Sequence, residues 1–206
     1  TKNFFITADI GAGARISNVN SSSLPENINV TTYDDYAFIE EDKVNIAQSG
    51  KDFLGDEFGS VTEKSYNFNL PNLVSSQSVK LRILVASNSA TNSSGASFNI
   101  TTDGGANGNS IFLSGVGQPY PGIFNAATIA ERVFNLNNVS SNFNINLNFN
   151  RNNDFNTKGW LDFLQVNATS NLQYNGQPLY FRKASTIKNK TGVKVGNQNE
   201  FCKSLT

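Results

Sequence analysis

The sequence predicts an all-β protein, an antiparallel β-sandwich of jelly-roll type with few or no helices. Three observations lead there. Apolar and polar residues alternate in several runs, most cleanly in NFNINLNFN at residues 142–150. In a strand, residues i, i+2 and i+4 share one face, so such a run reads as a half-buried strand. About ten short runs of this kind are separated by turn-forming segments, the spacing expected of a sandwich. Only EEDKVNIAQSGKDFLGDEF, residues 40–58, has room for a helical turn.

NFFITADI (3–10) is the first candidate strand, and YAFIEEDKV (36–44) the second. KSYNFNLPN (64–72) alternates Tyr66, Phe68 and Leu70 and stops at Pro71, whose ring removes a ladder donor. VKLRILVAS (79–87) is apolar on nearly both faces after Arg82, the pattern of a central strand. ASFNIT (96–101), SIFLSG (110–115) and AERVFNL (130–136) follow. Residues 142–150 would make a strand roughly 30 Å long. A helix would scatter Phe143, Ile145, Leu147 and Phe149 around its circumference, and Asn is a poor helix former. GWLDFLQVNA (159–168) is expected to put Leu161 and Phe163 on one face, with Trp160, Leu164 and Val166 mostly on the other. PLYFRK (178–183) is the last strand candidate.

The connectors DGGANGN (103–109), GQPYPG (117–122), RNNDFNTKG (151–159) and YNGQP (174–178) supply turn dihedrals. Asn175–Gly176 reads as a tight hairpin turn. The expected organisation is N-terminal strands at 1–32, from a neighbouring unit, a sandwich at 33–183, and a C-terminal extension at 184–206. There is no internal repeat.

Sixteen basic and sixteen acidic residues cancel, so no electrostatic footprint for nucleic acid or an acidic membrane exists. Charged residues make up only 16%; Asn, Ser and Thr supply the remaining polarity, which suits an exported protein. Cys202 is the single cysteine, which rules out an intramolecular disulfide. No apolar run approaches the ~20 residues of a membrane helix. The absence of Met, even at residue 1, fits a piece of a longer chain.

The catalytic inventory is short. Without histidine, Ser–His–Asp and Cys–His chemistry and His-ligated zinc are excluded from this chain. Cys202 lacks a His partner and stands near the end, so it is a poor nucleophile. Asp34–Asp35 and Glu40–Glu41–Asp42 are clustered carboxylates; they would suit a two-carboxylate glycosidase or simply a solvated edge. The loop DGGANGN offers Asp103, Asn107 and Asn109 as oxygen ligands for calcium, without the closing Glu of an EF-hand. NRNNDFN is a weaker candidate of the same kind. No other cofactor is expected. Trp160, Tyr120, Tyr174 and Tyr180 would make either a sugar-stacking platform or core. The Asn row of residues 142–150 is either the wet side of a sheet or an amide surface for sugar hydroxyls.

One stretch is less generic. DYAFIEEDKVNIAQSGKDFLGDEF (35–58) carries Val44, Asn45 and Ile46, then Ser49, Gly50 and Lys51, then Phe53, Gly55, Asp56 and Phe58. FNLPNLVSSQSVKLRILVASNSATNSSGASFNI (68–100) and GWLDFLQVNATSNLQYNGQPLYFR (159–182), with Asp162, follow in order. Together these resemble the type IX secretion system sortases of the gingipain family of cysteine peptidases, over roughly residues 33–183. Lys51 stands where that family usually has Arg, and Phe53 where Trp is usual. The resemblance implies an exported protein on the outer-membrane surface of a Bacteroidetes-type bacterium. It places this region N-terminal to the Cys/His catalytic domain, so no catalytic residue carries over. The implied role is a non-catalytic sandwich module docked to the peptidase domain of its parent chain or to type IX secretion components. Ser49, Gly50, Lys51, Phe53, Gly55, Asp56, Phe58 and Asp162 are then structural or interface residues. The competing function is a carbohydrate-binding module of a secreted bacterial protein, with a glycan as partner.

Overall fold

The computed structural model describes residues 26–48, 50, 53–90, 93–103, 108–117, 126–173, 179–186 and 192–195. The strand expected at 3–10, the hairpin at 174–178 and Cys202 lie outside the described residues. Among the described residues eleven strands run in order: β1 (Glu26–Val30), β2 (Thr32–Glu40), β3 (Glu57–Phe58), β4 (Glu63–Asn69), β5 (Val79–Ser87) and β6 (Ala96–Thr102). They continue as β7 (Asn109–Leu113), β8 (Thr128–Leu136), β9 (Asn142–Asn150), β10 (Gly159–Asn171) and β11 (Gly192–Val195). Helical structure among the described residues amounts to a 3-10 turn at Ala184–Thr186 and 3-10 conformation at Asp103.

Two antiparallel sheets form the body. Sheet I has the order β2-β10-β5-β8, and β3 also pairs with β10; sheet II has the order β4-β9-β6-β7. Leaving out the short β1, β3 and β11, the eight remaining strands follow the jelly-roll order, in which successive strands lie in opposite sheets except for the β6–β7 pair. β1 and β11 pair in parallel as a separate two-stranded sheet.

The core lies between the sheets, where the alternating residues predicted it. Phe143, Ile145, Leu147 and Phe149 of β9 are all buried, facing Leu81, Ile83 and Val85 of β5. Phe58, Phe98 and Phe149 form an aromatic knot, with Phe58 edge-on to Phe98 at 5.1 Å and Phe98 to Phe149 at 4.8 Å. Each such ring contributes roughly 1.5–3 kcal/mol by burial. Gly159 is obligatory beside this knot, because an added Cβ would stand 2.7 Å from both Phe149 and Phe98.

Two expectations about β10 and its surroundings are corrected. Leu161 and Phe163 do not share a face: the β10–β5 register shifts between them, with Asp162 as the extra residue on β10. This β-bulge resets the alternation. Leu161, Leu164 and Val166 therefore enter the main core, while Phe163 turns outward beneath Arg82, at 5.0 Å. Residues 179–183 are not a strand. They follow the edge of β2 through one backbone bond, Asp34 N–H to the Arg182 carbonyl at 2.9 Å, and the Asp34 carboxylate accepts from Ala184 N–H at 2.7 Å. A side-chain cap thus replaces the ladder there.

Candidate functional site

The motif at residues 43–58 folds into a strap across the end of sheet I. Val44 and Leu54 exchange backbone hydrogen bonds of 2.8 and 2.7 Å, closing the loop between β2 and β3. Gly50 sits at its turn with φ +70°, a left-handed conformation that favours glycine. Gly55, by contrast, takes no positive φ. Its role is close approach, since a Cβ would stand 2.8 Å from the carbonyl oxygens of both Glu41 and Leu161. The Gly55 N–H donates to Leu161 O at 2.8 Å, and Leu161 N–H donates to Asp56 O at 2.9 Å. This strap segment takes over beside β10 where β2 ends, next to the bulge at Asp162.

Asp56 is the electrostatic hub of the strap. Its carboxylate accepts from Lys43 Nζ at 2.7 Å and Tyr66 OH at 2.8 Å, with Lys64 Nζ at 3.4 Å. Lys43 also pairs with Glu41. Burial pushes the Asp56 carboxyl up, but the Lys43 and Tyr66 hydrogen bonds and the Lys64 charge outweigh it and hold it below the usual carboxylate value. Burial first, then the Asp56 bond and charge, push the Tyr66 phenol well above its usual range. Phe58 is fully buried and Phe53 is 41% exposed. Ser49 and Lys51 lie outside the described residues. The motif thus brings Gly55, Asp56, Phe58 and Asp162 together around one seam.

Trp160 is 3% exposed and packs with Leu54 and Ala86 in a side cluster beneath the strap, so it is not a sugar-stacking platform. Its indole N–H has no hydrogen-bond partner among the described residues. Tyr180 is fully outward, at 95% exposure, and Tyr120 and Tyr174 lie outside the described residues.

The clustered carboxylates separate. Asp35 accepts from Tyr33 OH and Ser170 Oγ, whereas Asp34 accepts from Ala184 N–H and lies 3.5 Å from Lys183. As neighbours on one strand they point to opposite faces, so they do not form a catalytic pair with each other. Of the calcium candidates, Asp103 accepts from the Asn144 backbone N–H at 2.9 Å, Asn109 opens β7, and Asn107 lies outside the described residues. In the loop 151–158, Asp154 accepts from Asn156 N–H and Thr157 Oγ1, and Asn152 and Asn153 take positive φ. That is local turn chemistry.

The outward faces of the two sheets differ. On sheet II the Asn row of β9 lies between β4 and β6. Asn67 Nδ2 bridges Asn142 and Asn144 at 2.8 and 3.0 Å, and Asn148 donates to Glu63. A shallow groove of about 460 Å³ crosses these strands between Glu63, Ser65, Asn99, Thr101, Asn146 and Asn148. On sheet I, Tyr36, Phe38, Ile129 and Val133 are 62, 47, 58 and 59% exposed. Phe38 packs on Phe163 at 5.7 Å, and Arg82, in register with Val133, pairs with Glu131 at 2.6 Å. These residues were not singled out in the sequence, where only the polar half of each alternation marked them as outward.

No protein-family model and no curated protein matches the chain. Among solved structures it is similar to dimeric latent PorU from Porphyromonas gingivalis, with TM-score 0.61 and 18% identity over 80% of this chain. That likeness shows the fold. It takes in only 15% of the PorU chain. Looser similarity reaches a carbohydrate-binding module, CBM36, in complex with calcium and xylotriose, at TM-score 0.41 and 15% identity over 64% of this chain and 98% of that one. The CBM36-1 domain of a multidomain xylanase from the hindgut metagenome of Trinervitermes trinervoides stands at TM-score 0.42 and 14% identity, over 70% of this chain and all of that one (100%). Neither carries its ligand across to this chain.

Proposed function

We propose that this chain is a non-catalytic jelly-roll module of an exported, surface-exposed protein of the type IX sortase kind. Residues 33–183 are the module, with 1–32 and 184–206 as its flanks. Its work is to dock against a gingipain-like peptidase domain of the same parent chain. The observation that carries this reading is the outward face of sheet I. There Tyr36, Phe38, Ile129 and Val133 stay exposed on either side of Phe163 and the Arg82–Glu131 pair. Large apolar side chains gathered on one face of a soluble domain mark a contact surface, and an aromatic–arginine mixture is typical of interface cores. The ordered motifs around Gly55, Asp56 and Asp162 support the same parentage, as does the fold shared with PorU.

The test begins with the reading frame that contains this chain, where a domain with a Cys/His pair is expected after residue 206. That domain, produced separately, should bind the module, and Phe38→Asp with Val133→Asp should weaken binding by about tenfold or more. A reading frame without such a domain overturns the proposal. So does binding that the double variant leaves unchanged.

A further inference from the structure

We infer that the outward face of sheet II is a binding surface for a neutral oligosaccharide, seated in the groove across β4, β9 and β6. The inference is independent of the docking reading, which uses the opposite face. It starts from an interruption. At one end of the face Asn67, Asn142, Asn144 and Asp103 are tied into a hydrogen-bonded ladder, and at the other Asn148 is tied to Glu63. Between these ends the side chains of Asn146, Asn99, Ser65 and Thr101 make no side-chain hydrogen bond to any described residue, and the groove lies there. A ladder serving only to stiffen the sheet would run on through this gap.

The register explains how the groove is built. Asn148 stands opposite both Glu63 and Asn99, and Asn146 opposite both Ser65 and Thr101. Two rows of polar groups therefore cross three strands at about 4.8 Å spacing, a spacing comparable with the width of one sugar ring. Each amide presents two donors and an acceptor, and each hydroxyl does both. Neighbouring sugar hydroxyls have the same dual character, so amide and diol pair through two bonds at once. Asn also has poor strand propensity. Thr would keep such a face wet at lower cost, so repeated Asn here reflects the amide rather than the strand.

Charge and an apolar contact narrow the ligand. Glu63 and Asp103 are the charged groups on this face among the described residues, and both are acidic. Lys64 also borders the groove, but its ammonium turns the other way, to Asp56 and the Phe58 ring. Phosphate, sulfate and uronate groups would be repelled; an uncharged chain would not. At the rim Phe112 is 59% exposed and follows Ser110, which pairs with Asn99, by two residues. One side of its ring covers Gly95, where an added Cβ would stand 2.7 Å from Phe112 Cζ. The exposed part of the ring can take the C–H face of a sugar.

The experiment titrates the nitrogen-labelled chain with short xylo-, cello-, manno- and galacto-oligosaccharides, with oligogalacturonate as the acidic comparison. Saturable micromolar binding of at least one neutral series is expected, with shifts at the Asn99 and Asn146 side-chain amides. Asn99→Ala with Asn146→Ala should weaken it by about tenfold or more while circular dichroism is unchanged. If that pair disturbs the fold, Asn146→Thr, which keeps the strand and removes the amide, should weaken binding alone. Phe38→Asp with Val133→Asp should leave binding as it is, which separates failure here from failure of the docking proposal. No binding by any neutral series, binding indifferent to the Asn variants, or equal or tighter binding of oligogalacturonate would each overturn the inference.

Discussion

Replacing Asp56 with Asn tests whether the strap is locked by charge. The carboxylate is 21% exposed and serves Tyr66 OH, Lys43 and Lys64. Asn keeps the shape but turns one acceptor oxygen into a donor facing groups that themselves donate. The lysine pairs are largely solvated and contribute little. The Tyr66 bond is half-buried, and a hydrogen bond to a charged acceptor contributes ~1.5–3 kcal/mol. A loss of about 2 kcal/mol follows, or roughly 4–8 °C in the thermal midpoint of a chain this size. Urea unfolding of Asp56→Asn, Tyr66→Phe and the double variant measures it. The two losses should overlap, with a coupling of about 1–2 kcal/mol. The sign of the pH dependence follows from the depressed carboxyl. Its contribution is fully present above the ordinary value of 3.8 and fades as pH falls through the lower folded value. Asp56→Asn should therefore flatten the acid limb. Losses below ~0.5 kcal/mol, or strictly additive ones, would refute the hub.

Gly55→Ala should destabilise by about 1–3 kcal/mol or more, because the two carbonyl oxygens its Cβ meets belong to fixed backbone; thermal melting measures this. Gly50→Ala, with open space around it but φ +70°, should cost nearer ~1 kcal/mol. Deleting Asp162 removes the bulge and brings Leu161 next to Phe163, opposite the consecutive β5 residues Val85 and Leu84, so both keep their present faces. Only the local twist and the strap contacts at the bulge are then disturbed, so a loss of about 0.5–3 kcal/mol with the fold retained is expected by urea titration.

The sandwich was legible because the period of two survives wherever one sheet face is buried. In β9 every apolar residue went inward and every Asn outward. The same rule failed in β10, where a bulge shifts the phase and nothing in WLDFL announces an extra residue. It also failed at 179–183, where apolar residues lie along an edge without forming a ladder. Gly55 was visible as a constrained residue, but not the reason, since close approach depends on carbonyls of Glu41 and Leu161 that only the fold brings near. The outward surfaces were legible as polarity and no further. Which Asn are tied and which are open depends on cross-strand register between β4, β9 and β6, which the turns of three separate connections determine.

The jelly roll makes the two outward faces chemically independent. Each strand contributes one half of its alternation to the shared core and the other half to a single face, and no strand serves both sheets. Selection can therefore alter the sheet II face, from Ser65 to Thr101 and Asn146, without touching the residues around Phe38 and Val133. The two faces in fact diverged: amides and hydroxyls on one, exposed rings and branched chains on the other. A domain needing only solubility has no use for that contrast, because Thr, Lys and Glu on both sides would keep it wet with better strand propensity. That contrast is what the two proposals rest on: sheet I for docking within a larger assembly, sheet II for a neutral glycan.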